Sequence, residues 1–456
     1  MPSWISPSFR IEARANLRLA LPLIAAQIAS LGMGTVDTIY AGRLGKSALA
    51  AVAVGSNLNA LFFVFFMGLL MACSPIVAQR IGAGQRDARI GAFTREALLF
   101  SVGAASLWVL GAHLVARPVL THIGLDDVTA QLAVRFMQVY SFSAFGFCLW
   151  FALRYVAEGV GTTPPVLISG LTGLFSNIVL DWVFMYGKFG VPAMGVIGCG
   201  YATMISALLM AVVLALQYRW RSMLRPLQLF ASQWPKWTVE SVEILRIGLP
   251  IGLILLAEAG LFVLAALWMA RFGGDTVAAF QVAINFAAVL FMIPMSIGLA
   301  TTVRVGHAIG AGRRVEARQR GIIGMRLGLL NAASNATIMA LLAPWIAALY
   351  TNDDEIIGIA ARFLMLAAAF QFFDGLQVTA NGALRGIKDT RLPMLITVTA
   401  YWLVGMPVSW WLGFHTGLGA SGVWWGLTAG LVVAAAGLSL RFLSKMSRSN
   451  RSELMP

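Results

Sequence analysis

The sequence predicts an all-α polytopic membrane protein, with twelve transmembrane helices in two pseudo-symmetric six-helix lobes, and three observations predict it. Of its 456 residues 59% are hydrophobic and only 11% charged, against about 25% charged in soluble domains. Apolar runs long enough for the ~20 residues that a membrane-crossing helix needs recur along the whole length, separated by short charged or Gly/Pro connections. One long stretch also occurs twice. Leu17 to Gly84 opens Leu-Arg-Leu-Ala-Leu-Pro and closes on Ile81-Gly82-Ala83-Gly84; Leu245 to Gly312 opens Leu-Arg-Ile-Gly-Leu-Pro and closes on Ile309-Gly310-Ala311-Gly312, at a constant offset of 228 with no gap. Pro22 falls on Pro250, Gly32 on Gly260, Arg43 on Arg271, Gly45 on Gly273, Asn57 on Asn285 and Met67 on Met295. A period this long is a duplicated half rather than a solenoid unit.

In order, the spans are expected over 17–41, 47–73, 93–117, 129–156, 164–186 and 194–218, then 245–270, 276–303, 321–349, 356–384, 392–413 and 419–443. Residues 1–16 read as an N-terminal tail, 17–218 as the N-lobe, 219–244 as the one long polar connection, 245–443 as the C-lobe and 444–456 as a C-terminal tail. The connection carries Pro226 and Pro235, as a seam should. Six spans per half make both repeats enter the membrane in the same direction, related by an axis along its normal, with a binding site expected between them near mid-membrane.

The net charge of +14 is explained by topology. Arg80, Arg86, Arg89 and Arg95 follow the second span, Arg219, Arg221, Arg225 and Lys236 lie between the halves, and Arg304, Arg313, Arg314, Arg318 and Arg320 follow the eighth. Basic loops belong on the cytoplasmic side. The alternate loops hold Asp126-Asp127 and Asp353-Asp354-Glu355, and Arg10, Arg14, Arg18, Lys445, Arg448 and Arg451 put both termini inside. The expected setting is a bacterial cytoplasmic (inner) membrane, with lipid and not nucleic acid as the surrounding partner, and a monomeric chain.

Several patterns are cleared. Gly42-Arg43-Leu44-Gly45-Lys46-Ser47 resembles part of a phosphate loop, but Tyr40 stands where its first glycine is required and no strand precedes it. The two Ile-Gly-Ala-Gly segments read as helix exits rather than anion cradles. His113, His122, His307 and His415 are isolated, and Cys73, Cys148 and Cys199 are scattered singly, so a zinc site, a disulfide framework or a hydrolytic triad is not expected. No enzyme activity and no organic cofactor is expected.

Four carboxylates fall inside predicted spans: Asp37, Asp181, Glu258 and Asp374. Inserting one costs roughly 2.5–3.5 kcal/mol, so each needs a reason. In the first span Gln27, Ser30, Gly34 and Asp37 form a small, polar stripe; in the fifth, Ser169, Gly173, Asn177 and Asp181 recur every four residues; the tenth carries Gln371, Asp374, Gln377 and Asn381. An amide one turn from a carboxylate can share a proton or help ligate a cation. Glu258 lies in an aliphatic run, Ala257 to Gly260, where a neutral carboxyl is cheaper to bury than a charged one. An acid that is emptied and refilled suits proton coupling; an ionised one suits Na⁺ or an organic cation. Gln281 and Asn285 stand a turn apart in the eighth span, and Asn57 is the first-half counterpart of Asn285.

The chain resembles the multidrug and toxic compound extrusion (MATE) family, and its NorM-like branch. The resemblance is carried by Pro22 to Gln27, Val36-Asp37-Thr38, Pro75 followed by Ile81-Gly82-Ala83-Gly84, Glu158-Gly159 after the fourth span and Tyr186-Gly187-Lys188-Phe189-Gly190. Gly195 to Gly200 with Ala202-Thr203, Glu258, Phe373-Asp374-Gly375 and Leu384-Arg385-Gly386 complete it. It implies an antiporter of two six-helix lobes that exports cationic drugs in exchange for H⁺ or Na⁺. By that resemblance Asp37, Asn177, Asp181 and Thr203 form a polar N-lobe cluster, and Glu258 and Asp374 a C-lobe cation site able to take Na⁺. Gln281, with Asn285, Asn57 and Asp37, is expected to contact substrate, and Asp353 and Asp354 to form an outer acidic pair. One departure is that the aromatic hydroxyl some relatives have near the C-lobe acids is replaced here by Phe291 or Phe370. The rival readings are a lipid-linked saccharide flippase, disfavoured because the charges deep in the spans are mainly acidic, and an intramembrane enzyme, for which no nucleophile–histidine or metal set is seen. The duplicated halves do not share their acids: Asp37 falls on Ala265, and Glu258 on Ser30.

Overall fold

The computed structural model describes residues 7–122, 124–231 and 239–452, with side chains as far as 447. Pro235 and Lys236 of the connection lie outside the described residues, as do the side chains of Arg448 and Arg451. The helices are α1 (Pro7–Leu44), α2 (Lys46–Leu70), α3 (Cys73–Gly82), α4 (Ala88–Leu120), α5 (Asp127–Ser141), α6 (Ser143–Val160), α7 (Pro164–Tyr186) and α8 (Val196–Trp220). They continue with α9 (Val239–Met269), α10 (Gly274–Gly310), α11 (Arg314–Ala348), α12 (Asp354–Gly386), α13 (Arg391–Val398), a π-helical segment (Thr399–Gly405), α14 (Met406–Phe414) and α15 (Ala420–Ser452). Among the described residues there is no strand. Twelve spans are long and apolar enough to cross a membrane, the second being α2–α3, the fourth α5–α6, and the eleventh α13, the π segment and α14. The chain is an all-α polytopic membrane protein.

The helices overrun the apolar runs that predict them. Residues 7–16, read as tail, continue α1, and Arg80, Arg95, Arg219, Arg304, Arg318 and Arg320, read as loop residues, sit on helix ends. Glu158, expected beyond the fourth span, lies inside α6. Polar side chains do not stop a helix; they only end its apolar stripe.

The repeat is visible in the turns. Gly45 (φ +120°) and Gly273 (φ +104°) start α2 and α10, and Gly84 (φ +83°) and Gly312 (φ +73°) follow α3 and α10, all in the half of φ space that side chains avoid. Gly84 N donates to Ile81 O and Gly312 N to Ile309 O, each at 3.0 Å, so both Ile-Gly-Ala-Gly segments close a helix end. The acidic clusters start helices: Asp126 accepts from Thr129 N at 3.0 Å, and that backbone N–H holds its carboxyl below the usual carboxylate range. Asp353 accepts from Glu355 N and Ile356 N at 3.0 and 3.4 Å.

The chain divides into two compact units, Pro22–Gly252 and, with residues up to Leu21, everything from Leu253 onward. The division runs inside α1 and α9, at the repeat-equivalent prolines Pro22 and, two residues off, Pro250. The start of α1 therefore belongs to the C-terminal unit, and the start of α9 to the N-terminal unit. In the C-terminal unit Phe9 and Ala20 pack with Ile297, Ala300, Ile323 and Leu327. Asn16 Nδ2 donates to Thr301 Oγ1 at 3.0 Å, and Arg304 grips Glu12 with two bonds of 2.8 and 2.5 Å. In the N-terminal unit Glu240 pairs with Arg80, Ser241 donates its N–H and hydroxyl to Glu96 Oε1 at 2.8 and 2.7 Å, and a Cβ on Gly248 would stand 2.0 Å from Leu69 O. Glu12 and Glu240 are themselves 228 residues apart.

Each unit has an apolar core. In the first, Phe66 stacks on Trp108 at 5.7 Å, Phe63 meets Trp108, Phe147 and Phe151 edge-on, and Trp108 Nε1 donates to Asn59 Oδ1 at 2.9 Å. In the second, Phe280, Phe363 and Phe370 surround Trp424. Leu107, Leu110 and Leu114 of α4 are 64, 56 and 67% exposed, an apolar face that suits lipid and not water.

Candidate functional site

The N-terminal unit brings together four of the residues singled out in the sequence, and a fifth that was not. Asn177 Nδ2 donates to Asp37 Oδ1 at 3.1 Å, and the Thr203 hydroxyl lies 3.3 Å from Asp37 Oδ2 and 3.1 Å from the Cys199 carbonyl. Its single proton serves one of those acceptors at a time. Asp181 is fully buried with both carboxylate oxygens lacking a hydrogen-bond partner. Oxygens of Asp37 and Asp181 and the Cys199 sulfur all lie within 4.8 Å of one another, a grouping that could hold a metal ion. The donors are two hard carboxylates, a soft thiol and neutral oxygens, so the set also fits a proton or a small cation. Two bare carboxylates this close in a buried place repel and have lost their water, so one proton or one cation shared between them is what makes the arrangement tenable.

Local sequence explains the geometry. Asn177 and Asp181 sit a turn apart on α7 and Cys199 and Thr203 a turn apart on α8, so two helical faces close on Asp37 of α1. Gly173, one turn before Asn177, lets α7 meet Met210 of α8, where a Cβ would lie 2.3 Å from Met210 Sδ.

A second acid pair belongs to the C-terminal unit. Asp374 of α12 is 3% exposed with Oδ1 lacking a hydrogen-bond partner, while Glu258 of α9 is half-buried. The two interact electrostatically, and Arg385, three turns along α12, sets an opposite charge against Glu258. Gln371, one turn before Asp374, donates to Ala287 O at 2.8 Å and leaves Oε1 without a partner. Tyr401, from the eleventh span, shares an apolar core with Phe370 of α12. Nothing in the sequence ties the eleventh span to the seventh and tenth, so no signal could have found it.

The other candidates lie apart. Gln281 and Asn285 are exposed on one face of α10, Asn57 is exposed on α2, and Asp353 and Asp354 are exposed at the start of α12, where Asp353 is engaged as its cap. The sequence reading missed Arg154. It is 1% exposed in α6, bonded through Nε to Glu158 Oε1 at 2.7 Å and through Nη1 to Gln27 Oε1 at 3.0 Å, with its guanidinium 4.9 Å from the Trp150 ring centre. The i,i+4 spacing of Arg154 and Glu158 was the available signal.

These are the features of a membrane protein that keeps carboxylates within its apolar spans. The chain belongs to the MatE family, whose model matches residues 22–183 and again 250–411, one match per half. It is similar to multidrug resistance protein NorM of Vibrio vulnificus (strain YJ016), 38% identical over 440 residues that cover 95% of each chain. It is 39% identical to multidrug resistance protein PmpM of Pseudomonas aeruginosa over 452 residues, 96% of this chain and 93% of the relative. Among solved structures it resembles the eukaryotic MATE transporter AtDTX14 with a TM-score of 0.84 at 22% identity, covering 98% of this chain and all 100% of that one.

Proposed function

We propose that this protein is a secondary active multidrug efflux antiporter of a bacterial inner membrane, exporting organic cations in exchange for H⁺ or Na⁺. The observation that carries the reading is an acid pair in each unit, Asp37 with Asp181 and the half-buried Glu258 with Asp374, with buried carboxylate oxygens of Asp181 and Asp374 left without hydrogen-bond partners. The names of its relatives, multidrug resistance proteins at 38 and 39% identity, support the drug substrate.

The mechanism follows from charge competition. A buried carboxylate pair takes up one small cation readily and two bare charges badly. Entry of H⁺ or Na⁺ at either pair removes the negative charge that holds a cationic drug, so drug and coupling ion bind at each other's expense. Thr203 and Asn177 hold Asp37 in place, Gln281, Asn285 and Asn57 offer neutral polar contacts to substrate, and Asp353 with Asp354 attracts organic cations at the outer end. The chain acts as a monomer with both termini in the cytoplasm and makes and breaks no covalent bond in its substrate.

Efflux of a fluorescent organic cation from proteoliposomes, driven by an imposed ΔpH or an imposed Na⁺ gradient, tests this directly. One gradient drives efflux; efflux indifferent to both would sink the antiport reading.

A further inference from the structure

Far from either acid pair in the sequence, cations collect where three elements of the C-terminal unit come together. The turn after α12 carries Lys388 and Asp389, α13 begins with Arg391, and α15 carries Arg441 and Lys445 near its end. The two helices run side by side, since a Cβ on Gly437 of α15 would meet Ile396 of α13 at 2.8 Å. Arg391 lies five residues before that contact, and Arg441 and Lys445 one and two turns after it, so all three stand within about 12 Å of it along the helix axes. Asp389 shows that they share one end. Its Oδ2 accepts from Arg441 Nε at 3.0 Å and from Lys445 Nζ at 2.9 Å.

The carboxylate is 8% exposed, whereas Arg441 is half-buried and Lys445 exposed. An arginine has five N–H donors and a lysine three, so one carboxylate takes up a small part of what the two offer. Among the described residues no other carboxylate pairs with Arg441 or Lys445, and none pairs with the exposed Arg391. The turn itself adds a cation at some conformational cost. Lys388 N donates to Arg385 O at 2.8 Å and Asp389 N to Leu384 O at 3.0 Å, the paired closure of a helix end in which the residue at position 388 takes left-handed backbone. Lys388 has φ +57°, a conformation that glycine adopts readily and a lysine does not. Beside the cations the surface turns apolar. Leu395 of α13 and Leu440 of α15 are 53 and 67% exposed, as a face against lipid tails should be, and Leu392 is exposed next to Arg391. Cations on the border of such a face stand at the depth of phospholipid headgroups.

We propose that Lys388, Arg391, Arg441 and Lys445 form a binding site for the phosphodiester headgroup of an anionic phospholipid, whose acyl chains lie along the exposed leucines of α13 and α15. Four cations against one carboxylate leave the group positive, and Asp389 holds Arg441 and Lys445 in place without neutralising both. The phosphate oxygens accept charge-assisted hydrogen bonds from the remaining donors. A lipid bound there fastens the turn after α12 to the end of α15, whichever ion drives transport.

The test follows the melting temperature of the full chain in detergent as phosphatidylglycerol, phosphatidylcholine or inorganic phosphate is added. Phosphatidylglycerol raises it, and the other two do not. An equal rise with inorganic phosphate would make this a free-anion site, and an equal rise with phosphatidylcholine would make it an apolar contact; either overturns the proposal. Arg391→Gln melts as wild type without lipid and needs about fivefold more phosphatidylglycerol for its half-maximal shift, the factor that one basic side chain near an anionic surface is worth. Lys388→Gly keeps the turn, because glycine suits that backbone, and loses about as much affinity. Arg221→Gln removes one exposed charge at the end of α8 instead, and leaves the requirement within about twofold. An unchanged requirement in both Arg391→Gln and Lys388→Gly, or an equal increase in Arg221→Gln, overturns the proposal.

Discussion

Asp181 is the residue on which the N-terminal site turns, since its two oxygens are buried and unpartnered beside a second carboxylate. No basic side chain among the described residues pairs with it. Asp181→Asn removes one of two like charges, so the protein is expected to melt at or above the wild-type temperature while losing efflux by at least about tenfold, a loss of transport without a loss of fold. Asp37→Asn is expected to abolish drug resistance with wild-type amounts of protein in the membrane, read by growth on drug and by immunoblot. Much of this site was legible beforehand. Asn177 and Asp181 announce themselves by their spacing on one helix, as Asp37 does by the stripe that begins at Gln27. Cys199 was not legible, because a cysteine in an apolar run looks like any small core residue until α8 is laid beside α1 and α7.

At the level of elements, α6 is the clearest case of a polar group held inside a span. The Arg154–Glu158 pair is 1 and 0% exposed, and Arg154 reaches Gln27 on the α1 stripe. Breaking a buried pair by removing one partner leaves an uncompensated charge, so Arg154→Met is expected to cost about 3–5 kcal/mol, and the double replacement Arg154→Met with Glu158→Leu markedly less. Thermal unfolding in detergent measures both. The docking of α9 on α2 gives a second expectation. With a Cβ at Gly248 only 2.0 Å from the Leu69 carbonyl, Gly248→Val must push two backbones apart and is expected to destabilise by more than about 1–3 kcal/mol. Helix positions were readable from hydropathy to within a turn or two, but their ends were not, because arginines such as Arg80 and Arg304 continue a helix into the polar zone that the apolar pattern leaves blank.

For the whole molecule, the duplication was readable over Leu17–Gly84 and Leu245–Gly312, and the family match falls on both halves. What the repeat could not reveal is which unit each helix start joins. A constant offset aligns Glu12 with Glu240 but carries no information about the arginines they meet, and those lie at Arg304 and Arg80. The reason is physical: the repeat records local helix geometry, whereas pairing across the chain depends on long-range contacts with no periodic signature. Charge reversal reads this out. Glu12→Arg is expected to lower the melting temperature and transport together, and Arg304→Glu in the same chain to restore a substantial part of both; the same holds for Glu240→Arg with Arg80→Glu.

The exchanged helix starts also bear on how the protein is made. Glu12 and Asn16 emerge from the ribosome early, yet their partners Arg304 and Thr301 lie 292 and 285 residues further on. Residues made well before their partners are thus late to find their places, and the opening turns of α1 must wait, their carboxylate unpaired, until α10 has been inserted. The start of α9 faces no such delay, because Arg80, Glu96 and Leu69 are already in the membrane when it is synthesised. A nascent chain arrested before α10 should therefore expose its N-terminal turns to protease, and one arrested after α11 should protect them.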